Sequence, residues 1–436
     1  MNRMNRQILK LAIPNIITNL AVPLLSSVDT MLVGHLDAVY YIGAVAVGGM
    51  IFNFVYWGFG FLRMGTTGLT AQAFGANDRP ETVRILLRAL VVAAGIALAL
   101  ILFQGAIEWL SFELIHSTEE VALYARSYFR IRIFAAPATL MLYALTGWFL
   151  GMQNAKYPLW IALTANISNI VFNLLFVLVW ELQSDGVAYG TVVAQYLGLA
   201  VALWLLRRMD VQLFKHFSLR VLFHWQRIKP FFAVNRDIFI RTLSLIFVFS
   251  FFTAKSAEMG DDILAANAIL LNLWMVFSYG IDGFAFAAES LVGKYIGAGN
   301  REGLRKLIKR IFGWGAGLGL LFSLAYSVAP EALLRLFTNK ENVIALALSY
   351  YIWTAVAPVV NSFCYIWDGI YIGATAGKAM RNTMLFSTLL VFLPAFYTGR
   401  FYWGNDGIWM AMLLFMAARW LSMQILAGKE VYNFGK

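Results

Sequence analysis

Leu11-Ala12-Ile13-Pro14-Asn15 opens an apolar run that continues through Val22-Pro23-Leu24-Leu25-Ser26-Ser27-Val28-Asp29-Thr30-Met31-Leu32-Val33-Gly34 to Leu36. A helix needs roughly 20 apolar residues to cross a hydrocarbon core, and this run is long enough. Two residues complicate that reading. Pro14 removes a backbone hydrogen bond and makes its helix easy to bend. Asp29 puts a carboxylate into a membrane segment, at a cost of roughly 2.5–3.5 kcal/mol by insertion scales. A charge kept at that cost normally faces a polar interior and serves a function there. The plainer alternative is that Asp29 lies near the outer mouth, shortly before Gly34, and is solvated.

The rest of the chain has the same character. Of 436 residues, 61% are hydrophobic and 13% charged, against about 25% charged in soluble domains. Twelve apolar spans are expected, near residues 10–34, 42–75, 84–112, 121–152, 157–181, 186–207, 230–258, 263–298, 304–330, 342–373, 378–400 and 404–427. The fold class is therefore an all-α polytopic membrane protein whose partner is the lipid bilayer. The first span can itself start insertion, so no cleavable signal peptide is expected. Cys364 is the single cysteine and sits in an apolar stretch, which leaves no intrachain disulfide and no cysteine metal site. The four histidines fall outside the spans, and no HExxH pattern occurs. A membrane-embedded enzyme would need a catalytic His, Ser or paired-acid set at the interface, and none is found. No cofactor is expected.

A net charge of +11 is in the range of nucleic-acid binders, but its placement argues otherwise. With the N-terminus cytoplasmic, the outer segments hold only Lys255, Arg335, Lys340 and Arg400. The other loop bases, among them Arg79, Arg84, Arg88, Arg207, Arg208, Lys215, Arg301, Arg305 and Lys306, fall inside. This is the positive-inside asymmetry, and it places both termini in the cytoplasm.

The longest polar connection, Arg207 to Lys229, lies near the middle of the chain. On either side the sequence repeats itself at an offset of 222 residues. Gly75-Ala76-Asn77-Asp78-Arg79 is matched by Gly297-Ala298-Gly299-Asn300-Arg301. Arg88, Gly147, Gly151 and Lys156 are matched by Arg310, Gly369, Gly373 and Lys378. One offset held this far is not chance, and internal repeats are a mark of transporters. Six spans per repeat is an even number, so the halves share an orientation and are expected to be related by a pseudo-two-fold along the membrane normal. The expected organisation is an N-lobe over 1–206, a cytoplasmic linker over 207–229 and a C-lobe over 230–436, with a binding cleft between the lobes. The two Gly-Ala stretches suit helix C-termini and read as structural.

Asn166, Asn169 and Asn173 in the fifth span are spaced to share one helical face. Such residues can be interhelical glue, each bond contributing about 0.6 kcal/mol. Depth suggests more, because Asp29, Asn169, Asn173 and Thr191 of the sixth span can share one level of the first half. Carboxylate, amide and hydroxyl oxygens suit a proton carrier or a hard cation such as sodium. The second half has acids of its own. Asp282 and Glu289 are spaced for one face of the eighth span, and Asp368 lies in the tenth. Pairing with Lys294 for Glu289, or with Arg236 or Arg241 for the others, competes with a role in coupling. A flat hydrophobic cation could dock on some of the many aromatic rings.

The Pro14-to-Asp29 segment, the AAE-x-LVGK-x-x-GAG run from Ala287 to Gly299, the DGI-x-x-G run from Asp368 to Gly373 and the six-plus-six repeat together resemble the multidrug and toxic compound extrusion (MATE) family, in its DinF-like branch. The resemblance spans essentially the whole chain. It implies a cation site made by the first-span Asp, an Asn and an Asp of the fifth span and a Thr of the sixth. Asp29, Asn169 and Thr191 match those positions, but the fifth-span Asp is Asn173 here. One of two carboxylates is thereby lost, which favours proton over sodium as the coupling ion. The expected function is efflux antiport of an amphipathic, cationic small organic molecule, by a monomer in the bacterial inner membrane. The alternative within the wider superfamily is a flippase for lipid-linked precursors. It would need a cluster of bases for phosphate, and the bases at membrane depth are few (Arg63, Arg236, Arg241 and Arg419).

Overall fold

Residues 3–33, 38–115, 117–209 and 225–433 are described by a computed structural model, and every regular element among them is helical. The first half holds α1 (Arg3–Val33), α2 (Val39–Gly58), α3 (Phe61–Gly75), α4 (Arg79–Leu102), α5 (Gln104–Leu114), α6 (Glu119–Arg132), α7 (Ala136–Gly151), α8 (Lys156–Leu174) and α9 (Gln183–Met209). The second holds α10 (Trp225–Ala257), α11 (Asp261–Gly297), α12 (Arg301–Val328), α13 (Pro330–Arg335), α14 (Glu341–Ser349), α15 (Tyr351–Gly373), α16 (Gly377–Phe386) and α17 (Leu393–Ala427).

Ten stretches among the described residues are long and apolar enough to cross a membrane. One of them, Gly377–Tyr432, is 56 residues long, because α17 conceals a reversal of the chain. Gly404 has φ 57 and ψ −125, a region open to glycine alone, and it turns the helix back on itself. Across the turn the backbones of Gly399 and Gly407 touch, and a methyl group on either would collide with the carbonyl of the other. That stretch therefore carries two spans. With the 31-residue α1 the total is the twelve expected from the sequence.

The repeat extends to backbone detail. Asp78 caps α4 by accepting from the Glu81 amide, and Asn300 caps α12 by accepting from that of Gly303, 222 residues on. The turn before each cap closes alike, with Asp78 N–H on Ala73 O and Asn300 N–H on Tyr295 O. Asn77 and Gly299 both take positive φ there, as do Gln153 and Thr375 after α7 and α15. Helix contact repeats as well: Gly147 lies against the Arg63 backbone, and Gly369 against the Ala285 backbone. An offset visible in glycines and caps is thus an offset in how helices start, stop and approach.

The chain folds as two compact units. The amino-terminal unit comprises Ile17–Phe74 and Asp78–Phe231. The carboxyl-terminal unit comprises Phe232–Lys436 together with Met1–Ile16 and Gly75–Asn77. The first part of α1 joins the latter because Gly283 of α11 has no side chain, so Ala12 and Ile16 lie directly on its backbone. Arg310 also donates to Asn5 at 3.0 Å. In the amino-terminal unit, Val83, Leu86, Leu145, Trp148, Phe149 and Leu205 form a core between α4, α7 and α9, tied by Trp148 Nε1–H donating to Thr82 O. Large apolar side chains such as Leu98, Leu102, Trp160 and Leu324 remain outside, as a surface facing lipid requires.

Candidate functional site

Three of the four expected coupling residues meet inside the amino-terminal unit. α8 and α9 are antiparallel neighbours, so the inward face of one meets that of the other. Asn173 Nδ2 donates to Asn169 Oδ1 at 3.0 Å, and Asn169 Nδ2 donates to Thr191 Oγ1 at 3.0 Å. The Thr191 hydroxyl donates in turn to the Val187 carbonyl at 2.9 Å. All three side chains are buried, Asn173 to within 1% of its surface. Gly190 makes the approach possible, since a methyl group there would strike Asn173 Oδ1. Its role was not read from the sequence, where a glycine one residue before Thr191 is the signal for this close approach.

The result is a neutral chain of dipoles running from α8 to α9. Two of its side-chain oxygens already accept amide donors. Asn166 is only half-buried. Asp29 falls within α1, but its side chain lies outside the described residues, as do all four histidines. Pro14 lies within α1, which is helical through it. Among the described residues no group of three or more His, Cys, Asp or Glu side chains could hold a metal ion.

The acids of the carboxyl-terminal unit are separated. Asp368 of α15 is bonded to two arginines, Arg241 of α10 and Arg419 of α17, the latter at 2.5 Å. Arg241 was one of the two bases expected for it. Arg419, a lone base in an apolar span, is the partner the sequence reading missed. Arg236 turns instead to Asp237 at 3.2 Å, which Arg381 also reaches at 2.7 Å. Glu289 is buried on α11, with its carbonyl packed against Gly373. Asp282, half-buried on the same helix, is an electrostatic neighbour of Tyr365, whose hydroxyl is bonded to Ser278. Asp368 and Asp282 thus sit in different surroundings, one clamped by guanidinium groups and the other beside phenols.

The family model MatE matches residues 14–175 and 238–397. The chain belongs to the MatE family. The two matched blocks coincide with the two halves of the repeat. This MatE protein is similar to the DNA damage-inducible protein F of Escherichia coli strain K12, with 36% identity over 95% of this chain and 90% of the relative. It is also similar to the multidrug resistance protein NorM of Vibrio cholerae, with 24% identity over 98% and 94% of the two chains. A crystal structure of a MATE protein in its bent conformation superposes with a TM-score of 0.88, at 20% identity and over 98% and 96% of the two chains, which shows that the fold is shared. This MatE protein is a multi-pass membrane transporter and not an enzyme.

Proposed function

We propose that the protein is a proton-coupled antiporter that exports amphipathic organic compounds by alternating access. Asp29 is the proton carrier, and Asn169, Asn173 and Thr191 are its polar surround. The observation that supports this reading is the buried, uncharged chain from Asn173 through Asn169 and Thr191 to Val187. A sodium ion needs several oxygen ligands at once and is best served by more than one carboxylate. Here the amide of Asn173 stands where the resemblance expects the second acid, and it is engaged as a donor to Asn169. A proton on one carboxylate asks for less. It cancels a charge that the membrane interior penalises, and neutral amide and hydroxyl groups can bond either form of the acid.

In this reading protonation of Asp29 lets α1 bend near Pro14 and drives release of the cargo outward, and deprotonation toward the inside resets it. Proton and cargo must then compete, directly or through the bend. Both termini are cytoplasmic, the protein acts as a monomer, and its membrane is the bacterial inner membrane. A cationic cargo is the expectation from sequence, whereas in the carboxyl-terminal unit two arginines, Arg241 and Arg419, meet the single carboxylate of Asp368.

The test is proton release from purified protein on addition of an amphipathic dye that it exports. Asp29→Asn should fold, insert and release no protons, while Pro14→Ala should slow transport without abolishing it. Wild-type release from Asp29→Asn would place the carrier elsewhere, with Asp282 the next candidate.

A further inference from the structure

Arg241, Asp368 and Arg419 form a charge cluster that does not balance. Two guanidinium groups converge on one oxygen, Asp368 Oδ2, and Asp368 is the only carboxylate bonded to either among the described residues. The cluster therefore carries one excess positive charge inside a membrane protein. Such a charge is costly unless it is paired. The hydrogen-bonding capacity is also incompletely used. Arg241 Nε, Arg419 Nε and Asp368 Oδ1 are buried and have no hydrogen-bond partner among the described residues. Yet the cluster is not sealed, since 6% of the Arg241 side chain and 8% of that of Asp368 remain open.

The surroundings are aromatic and apolar. The Arg419 guanidinium lies 5.3 Å from the Phe415 ring centre, and Nη1 touches Met416 Sδ. Cys364 neighbours all three charges, and Tyr365 neighbours Arg419. A planar fork of donors suits a carboxylate, and the protein already holds its own carboxylate there. One further monoanion would bring the cluster to neutrality.

We propose that Arg241 and Arg419 form a binding site for the carboxylate of an amphipathic organic acid, with Asp368 as an internal stand-in that the ligand partly displaces. This rests on the transport reading only for its purpose, which is to define the cargo class: compounds that carry a carboxylate beside an aromatic or apolar body. Asp368 is then a positioning residue, bonded to both guanidinium groups.

The experiment uses the full chain purified in detergent, with unfolding temperature as readout and ionic strength held constant with chloride. Benzoate should raise the unfolding temperature saturably, while benzylamine and inorganic phosphate should not. Arg241→Met leaves a neutral Arg419–Asp368 pair, so it should fold, and its apparent benzoate affinity should fall at least tenfold. Asp368→Asn removes the internal competitor and should tighten benzoate binding several-fold. A purely structural cluster predicts no such gain. Absence of a benzoate effect on wild type, or an unchanged effect in Arg241→Met, overturns the site. An equal effect of phosphate overturns the assignment to organic acids. Dye efflux measured in parallel separates the two readings: efflux without benzoate binding sinks the site alone, and benzoate binding without efflux of any compound leaves the site standing and sinks the transport reading.

Discussion

Asn267 and Asn405 exchange amides inside the carboxyl-terminal unit: Asn267 Nδ2 donates to Asn405 Oδ1 at 2.8 Å, and Asn405 Nδ2 returns the bond to Asn267 Oδ1 at 2.9 Å. Asn267 also donates to Ser256 Oγ at 2.8 Å and accepts from Trp409 Nε1 at 2.8 Å. One buried side chain of α11 thereby ties together α10 and the turn at Gly404. Asn267→Ala leaves several buried partners unsatisfied, at about 1–3 kcal/mol for a group so stranded. The purified variant should unfold at a clearly lower temperature than wild type. Combined with Asn405→Ala, the loss should be well short of additive, because the second change removes a group already stranded. Additive losses would mean that the reciprocal pair does not exist.

Gly404 and Gly407 fail differently when substituted. Ala at Gly404 must adopt a backbone conformation that costs on the order of 1–3 kcal/mol in non-glycine residues. At Gly407 the backbone is ordinary helix, but the methyl group meets the Gly399 carbonyl. Overpacking of that kind costs typically 1–3 kcal/mol. Both variants should lose folded yield, and a larger side chain should worsen Gly407 much more than Gly404, where open space surrounds the site. Equal tolerance of Leu at the two positions would contradict this geometry.

Asn173→Asp restores a second carboxylate at the end of the Asn169–Thr191 chain. Transport by this variant should gain or strengthen a dependence on sodium relative to wild type, measured as efflux with and without sodium at constant ionic strength. Normal transport with no new sodium response would count against the coupling site as assigned.

The orientation expected from the placement of bases is open to labelling. In a Cys364→Ala background, Ser117→Cys in the connection between α5 and α6 should react with an impermeant thiol reagent from outside. Lys306→Cys, at an exposed position near the start of α12, should react only after the membrane is opened. The opposite pattern would invert the protein.

Much of the architecture was legible because membrane folding is governed by local rules. Span length, the placement of bases and the 222-residue offset are properties of the chain, and the offset reappears in the caps at Asp78 and Asn300. Asn169 and Asn173 were legible together because helical spacing puts them on one face, and Thr191 joined them because the next span brings it to the same depth. The lone bases were harder. A charge in an apolar span announces that a partner exists, without saying which.

The sequence alone determined that this is a helical membrane protein built from two like halves, since hydrophobic run length and repetition need no tertiary knowledge. It also determined that the first span carries a single acid, Asp29, and the fifth span three asparagines on one face. Tertiary structure decided the pairings. Arg419 and Asp368 lie 51 residues apart and Arg241 and Asp368 lie 127 apart, and only the packing of three helices brings them together. It likewise decided that the first part of α1 belongs with the carboxyl-terminal unit, because the absence of a side chain at Gly283 matters only once another helix lies against it. Periodicity assigns a residue to a face, but the partner of that face is set by the packing of the whole chain.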